Sequence, residues 1–137
     1  MILTVTPNPA LDLTWRVDRI EPGATHRVPS GMGRAGGKGL NVARVAHQQG
    51  HSVLAIATAG GSAGAELQRE LVESGLPHLL VPVGASTRRS IALYDAAKDE
   101  TSIFNEFGEA LGETEWRDLL DAIGAALAQA SCLVGSG

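Results

Sequence analysis

Aromatic side chains are scarce in this sequence, with phenylalanine, tryptophan and tyrosine together making up 4%. A core built without them depends on aliphatic and small residues at close range. Cysteine is nearly missing as well: Cys132 stands alone. That excludes an internal disulfide and fits a reducing cytoplasm, and Cys132, inside an apolar run, is expected to pack rather than react. No apolar run is long enough to span a bilayer. The start, Met-Ile-Leu-Thr-Val-Thr-Pro, lacks the basic region and cleavage site of a signal peptide. Lys and Arg number 11 against 15 Asp and Glu, giving a net charge of −4, and the cations are scattered. A basic stripe with interleaved aromatics is therefore excluded, and neither nucleic acid nor membrane is expected as a partner.

Glycine, by contrast, is abundant at 17 of 137 residues. Many turns or close backbone approaches follow from that. The 137 residues suffice for one domain with a core, and no internal repeat or low-complexity linker divides them.

Hydrophobic periodicity predicts an α/β organisation. Met1–Thr6 reads as a buried strand stopped by Pro7. Leu11–Asp18 alternates Leu11, Leu13, Trp15 and Val17 with Asp12, Thr14, Arg16 and Asp18, the period of a strand with one wet face. A Gly- and Pro-rich stretch, Glu21–Gly39, follows. Leu40–Gln49 reads as a helix ended by Gly50, Ser52–Ala59 as a strand, Ala63–Ser74 as a helix ended by Gly75, and Leu79–Val83 as a strand. This β-α-β-α-β rhythm predicts a parallel sheet covered by helices. Arg89–Ala96 and Thr101–Asn105 flank a polar turn and predict an antiparallel hairpin. Thr114 is placed to cap a third helix, with Trp116, Leu119, Leu120, Ile123 and Leu127 on one face. Ser131–Val134 begins a last strand before Gly135-Ser136-Gly137. A strand of this kind usually leads into a covering helix, so a truncated domain is expected.

Two nucleotide motifs are suggested and fail. Gly31-Met-Gly33-Arg-Ala-Gly36 has the G-x-G-x-x-G spacing, but Pro29 precedes it where a central strand should be. The acid expected after the next strand is missing too. Gly37-Lys38 hints at a P-loop, but Met32 stands where its first glycine should be and Gly39 where a hydroxyl should hold magnesium. What survives is Gly36-Gly37-Lys38-Gly39 opening a helix. Glycines admit a ligand to the backbone, the helix terminus offers free N–H groups, and Lys38 adds a charge. This suits a phosphate or a cluster of sugar hydroxyls; a tight turn with an exposed lysine is the plainer alternative. His47 and His51 are four apart, but Gly50 interrupts the helix and no third ligand is near, so no metal site is expected.

Several segments together resemble the phosphofructokinase B family of carbohydrate kinases. Thr6-Pro-Asn-Pro-Ala-Leu-Asp12 is similar to the opening of 1-phosphofructokinases and tagatose-6-phosphate kinases, and Gly36-Gly-Lys-Gly-Leu-Asn-Val-Ala-Arg44 to their first signature. Gly60-Gly61, Thr87-Arg88 and Phe104-Asn-Glu106 follow in the family's order, so the match covers essentially the whole chain. Phe107, where the family often has proline, departs from the pattern. The resemblance implies a ribokinase-like fold: a parallel sheet between helices with a small β-sheet lid. Residues 1–137 would be the N-terminal part of one such domain, with lid strands over about 11–28 and 88–105. It also implies a homodimer through the lid.

By the same resemblance, Asp12 accepts sugar hydroxyls, Gly37 and Asn41 border the sugar, and Ser136 belongs to a Gly-Ser turn beside it. Lys38 and Arg88 would hold the substrate's phosphate, with Arg89 as the rival to Arg88. Opposite pointing of adjacent strand residues leaves room for only one of the two arginines. The family's catalytic aspartate, in Gly-x-Gly-Asp, its ATP pocket and the acids organising Mg2+ would lie beyond Gly137. The implied activity is ATP-dependent phosphorylation of a phosphorylated ketohexose, fructose 1-phosphate first among the choices, with this chain alone inactive and binding neither cofactor. The alternatives are a stand-alone sugar-phosphate-binding remnant and a dimerisation module without catalysis.

Overall fold

The structure, a computed structural model, describes residues 1–137 and contains two four-stranded sheets. The first is wholly parallel and carries the core. It contains β1 (Ile2–Thr6), β4 (Val53–Ala59), β5 (His78–Pro82) and β8 (Cys132–Gly135), in the order β5-β4-β1-β8. Its two central strands, β1 and β4, are short apolar runs, as burial on both faces demands. Val53, Ala55 and Ala57 of β4 face one side and meet Leu40 and Ala43 of α1 (Lys38–Gln48) and Leu67 and Leu71 of α2 (Gly61–Glu73). On the other side Leu3, Val5, Ile56 and Val81 meet Leu119 of α3 (Glu113–Leu127). The small side chains on β4 let the helices approach closely, which explains a core with so few aromatics.

The second sheet is a flap. It contains β2 (Ala10–Val17), β3 (Gly33–Gly36), β6 (Arg88–Asp95) and β7 (Glu100–Asn105), in the order β3-β2-β6-β7. β6 and β7 form the expected antiparallel hairpin, turning at Asp99, the one non-glycine residue with positive φ (55°). β2 and β6 run parallel, with Ala10 beside Arg88 and Asp12 beside Ser90. Asp95 holds the hairpin base. Its carboxylate accepts the N–H groups of Ile20 (3.1 Å), Ala97 (3.0 Å) and Lys98 (3.3 Å).

Several expectations need correction. The strand read over Leu11–Asp18 runs from Ala10 to Val17, and residues 18–32 are irregular. β3 lies in the stretch read as Gly- and Pro-rich loop and pairs antiparallel with β2, Asp12 opposite Arg34. Its glycines and lack of alternation hid it. Helix α3 begins at Glu113 after Gly112, so Thr114 lies inside its first turn rather than capping it. Glu115 closes that end instead, accepting the N–H of Gly112 and of Gly84 at 2.7 Å each. These two bonds hold its carboxyl below the ordinary glutamate range. Of the five apolar residues expected on one face of α3, Leu119 is buried, whereas Trp116, Leu120 and Leu127 are exposed. Cys132, expected to pack, is exposed on the edge strand β8. No helix is long and apolar enough to cross a membrane.

Candidate functional site

From β1 the chain proceeds to β4 and β5 on one side, then returns to β8 on the other. β1 and β8 are thus where the strand order reverses, and open α/β sheets form ligand crevices at the carboxyl ends of such strands. Those ends here are Thr6 to Asn8 and Gly135 to Gly137. The glycine-rich turn that opens α1 lies against both.

Each glycine of that turn has a separate reason. A Cβ on Gly36 would fall on the Asp12 carboxylate. Gly37 has φ 118°, a conformation only glycine adopts freely, and a Cβ there would stand 2.7 Å from Thr6 Cγ2. A Cβ on Gly39 would fall on Thr6 Oγ1 and 2.9 Å from the Val5 carbonyl. The Gly39 N–H reaches the Ser136 carbonyl at 3.3 Å, and the Ser136 N–H donates to Val5 O at 3.0 Å. Thr6 Oγ1 is fully buried and has no hydrogen-bond partner.

The turn therefore joins Asp12, Gly37, Lys38 and Ser136 around the end of β1. Lys38, the first residue of α1, is exposed and forms no ion pair. Asn41, one turn on, is exposed; its N–H bonds the Gly37 carbonyl at 2.9 Å, leaving its amide side chain free.

Sheet register puts Arg88 and Arg89 on opposite faces of the flap. Ala10 and Asp12 lie beside Arg88 and Ser90, so Asp12 and Arg88 share one face of the flap while Arg89 points to the other. Arg88 forms no ion pair. It donates to two backbone carbonyls, Asn8 O and Glu106 O, each at 3.4 Å. Glu106 also accepts the Arg89 N–H at 2.6 Å. Burial pushes the Asp12 carboxyl above its ordinary value, against the lowering charges of Arg88 and Arg34. A half-buried carboxylate is thus set between two guanidinium groups, with two unpaired cations, Lys38 and Arg88, at the turn and the flap base.

The predicted residues do not all share one cavity. Asp12 lines an open cleft of about 710 Å³ with Thr14 and Arg34, whose far wall is Glu66, Arg69, Glu70 and Glu73 of α2. Lys38, Asn41, Arg88 and Ser136 do not line it. The three carboxylates on that wall disfavour an anion there, although Arg34 and Arg69 line the same cleft.

Sequence reading missed Thr6, Asn8 and Arg34 as neighbours of the site. Only β3 brings Arg34 opposite Asp12, and β3 was read as loop. Glu70 of the same α2 wall pairs with Arg44 at 2.8 Å.

Comparison with known proteins agrees with this geometry. Residues 7–137 match the model of the pfkB family carbohydrate kinases. The ATP-dependent 6-phosphofructokinase isozyme 2 of Mycobacterium tuberculosis is 37% identical over 99% of this chain and 40% of its own length. The 1-phosphofructokinase of Xanthomonas campestris is 36% identical over 98% of this chain and 42% of its own. Phosphofructokinase-2 from Escherichia coli, solved in complex with fructose-6-phosphate, superposes with a TM-score of 0.90 at 32% identity, over 99% of this chain and 45% of that one. The chain thus spans about two fifths of the length of the curated relatives it matches. With the family match covering nearly every residue, and the flap and parallel sheet in the same arrangement, the chain belongs to the pfkB family of carbohydrate kinases.

Proposed function

We propose that this chain is the sugar-phosphate-binding part of an ATP-dependent kinase acting on a phosphorylated ketohexose, with fructose 1-phosphate as the leading substrate. The observation that carries this reading is the Asp12 carboxylate seated directly on Gly36, at the head of the turn that presents Lys38. Asp12 accepts hydrogen bonds from neighbouring sugar hydroxyls, and Asn41 supplies a donor and an acceptor beside it. Gly37 and Ser136 form the wall where the sugar rests. Lys38 and Arg88 take the substrate's phosphate, Arg88 by its planar fork and Lys38 as a compact charge. The fructose phosphates named for the relatives have the same two halves, a row of hydroxyls and one dianionic group.

ATP and Mg2+ would supply the transferable phosphoryl group and its charge neutralisation in the complete kinase. No group of three His, Cys, Asp or Glu side chains is placed to hold a metal ion. Gly39 also stands where a phosphate loop would place a hydroxyl. This chain binds and orients one substrate, and we expect no phosphoryl transfer from it alone.

A second reading, a dimerisation module, is favoured by the other face of the flap. By register, Leu13, Trp15, Val17, Ile91, Leu93 and Phe104 all lie there, opposite Asp12, and Phe104 is 59% exposed. A homodimer formed through this face is compatible with sugar-phosphate binding on the other.

Titration calorimetry with fructose 1-phosphate, fructose 6-phosphate, tagatose 6-phosphate and unphosphorylated fructose tests the main reading. A phosphorylated ketose should bind, and Lys38→Ala and Arg88→Ala should each weaken it about tenfold or more. Binding indifferent to the phosphate, or to both substitutions, would refute it. Dimers that bind no sugar phosphate would favour the second reading.

A further inference from the structure

The single ion pair of the chain, Arg44–Glu70, is placed where no surface ion pair would be. Arg44 is 8% exposed, and its Nε is buried without a partner. Arg44 belongs to α1 and Glu70 to α2, yet both reach the same residue of the flap. The Ala35 N–H donates to Glu70 Oε2 at 3.1 Å, and Arg44 Nη2 donates to the Ala35 carbonyl at 3.3 Å while holding Glu70 Oε2 at 2.8 Å. β3 pairs only with β2. Its other edge therefore has no strand to satisfy Ala35, and the ion pair takes that strand's place.

Ala35 immediately precedes Gly36 and Gly37. Its side chain is fully buried in the core beside Leu40, which follows the turn. The turn Gly36–Gly39 is thus held at one end by the ion pair through Ala35. At the other it is held by the Gly39–Ser136 and Thr6 contacts. A residue with φ 118° in between has no side chain to stop it rotating, so its anchors set its geometry.

We propose that Arg44 and Glu70 are positioning residues for the sugar-phosphate site. By closing on both polar groups of Ala35 they fix β3 against α1 and α2. They thereby fix the placement of Gly36 under Asp12 and of Lys38 at the head of α1. The inference rests on the function proposed above. It adds two residues to which that function assigns no contact with the sugar phosphate.

The test compares Glu70→Ala, Glu70→Gln and Arg44→Met by calorimetry with the tightest-binding fructose phosphate, well below each variant's unfolding midpoint. Glutamine keeps an acceptor for the Ala35 N–H and should stay within about threefold of the unaltered chain, while alanine should lose about tenfold or more. Arg44→Met should lose as much as Glu70→Ala. A purely stabilising pair would lower the midpoint of all three and leave the affinity of the folded molecules unchanged. Affinity within twofold for folded Glu70→Ala would overturn the proposal. Should that variant not fold, the same criterion applies to Arg44→Met and, with the opposite sign, to Glu70→Gln. If the unaltered chain binds no fructose phosphate, the functional reading fails and the positioning claim is judged separately, by amide hydrogen exchange. Exchange at Gly36–Asn41 should then accelerate about tenfold or more in Glu70→Ala or Arg44→Met, and less in Glu70→Gln, without equal acceleration in β4. Unchanged exchange at those amides would overturn it.

Discussion

Replacing Gly60 by alanine probes the joint between the parallel sheet and the flap. Gly60 precedes α2 with φ −154°, an extended conformation open to any residue, so backbone strain does not enter. Space does. A Cβ at Gly60 would fall on the Ala85 carbonyl and 2.5 Å from that of Val83, and both obstacles are backbone. Rotating a side chain cannot relieve such a clash; the segment Val83–Thr87 must move as a piece. Three hydrogen bonds tie that segment to this end of β4: Gly60 N–H to Thr87 Oγ1 (3.1 Å), Thr87 N–H to Gly60 O (2.9 Å) and Val83 N–H to Ala59 O (3.0 Å). Overpacking of this kind costs roughly 1–3 kcal/mol. Each hydrogen bond loosened adds about 1 kcal/mol. The expected loss is about 3 kcal/mol in urea unfolding, against about 1 kcal/mol for Gly50→Ala, where φ is 82° and no atom is within 4 Å. Because Thr87 leads directly into Arg88, the surviving folded molecules should also bind a sugar phosphate more weakly. A loss below 1 kcal/mol for Gly60→Ala, or one equal to that of Gly50→Ala, would refute the close-approach argument.

Other substitutions separate binding from stability. In Gly36→Ala the three atoms nearest the new Cβ all belong to the Asp12 side chain. The substitution should cost less than about 1 kcal/mol in stability yet weaken sugar-phosphate affinity about tenfold or more, as calorimetry would record. Gly124→Ala, inside α3 with open space around its Cα, should raise the unfolding free energy by about 0.5–1 kcal/mol. Two aspartates of the flap should respond to pH with opposite signs. Asp12 has a raised pKa, so its charge opposes folding above that pKa, and the penalty disappears as pH falls below the ordinary value of 3.8. Asp12→Asn should therefore not lower stability at neutral pH, although it removes sugar binding. The Asp95 pKa is lowered, chiefly by the Ile20 N–H, so its contribution is full above 3.8 and is lost as pH falls through the depressed value. Asp95→Asn should lower the melting temperature at pH 7 and converge with the unaltered chain in acid.

The parallel sheet was legible because its signals are local. The apolar runs of β1 and β4, the helices ended by Gly50 and Gly75, and the hairpin around Lys98-Asp99-Glu100 each depend on neighbours in sequence. The turn at Gly36–Gly39 was legible for the same reason. β3 was not: Gly-Arg-Ala-Gly carries no alternation, and it becomes a strand only because β2 and the Arg44–Glu70 pair supply its hydrogen bonds. The buried side of α3 was misjudged because a helical stripe does not say how wide a contact it finds. The sheet meets Leu119, with Ala122, Ile123 and Ala126 partly covered, and leaves Trp116, Leu120 and Leu127 outside. Geometry also separated Arg88 from Arg89, through a register between strands that no local pattern encodes.

The parallel pairing of β2 with β6 bears on how the molecule is assembled. The contact between Asn8 and Arg88 joins residues 80 positions apart, and the β2–β6 ladder beside it is equally remote in sequence. Closing so long a loop costs entropy before any pairing repays it, so remote ladders form late unless the intervening chain has already compacted. Here the intervening chain is the β1-α1-β4-α2-β5 unit, whose own contacts are shorter in range. Its prior collapse carries the start of β6 to the end of β1. Of the residues proposed to hold the ligand, Asp12 and Arg88 belong to the last stage of that order. Destabilising changes in the β2–β6 ladder should therefore hasten unfolding more than they slow folding, while damage to Leu40 or Ile56 should slow folding itself.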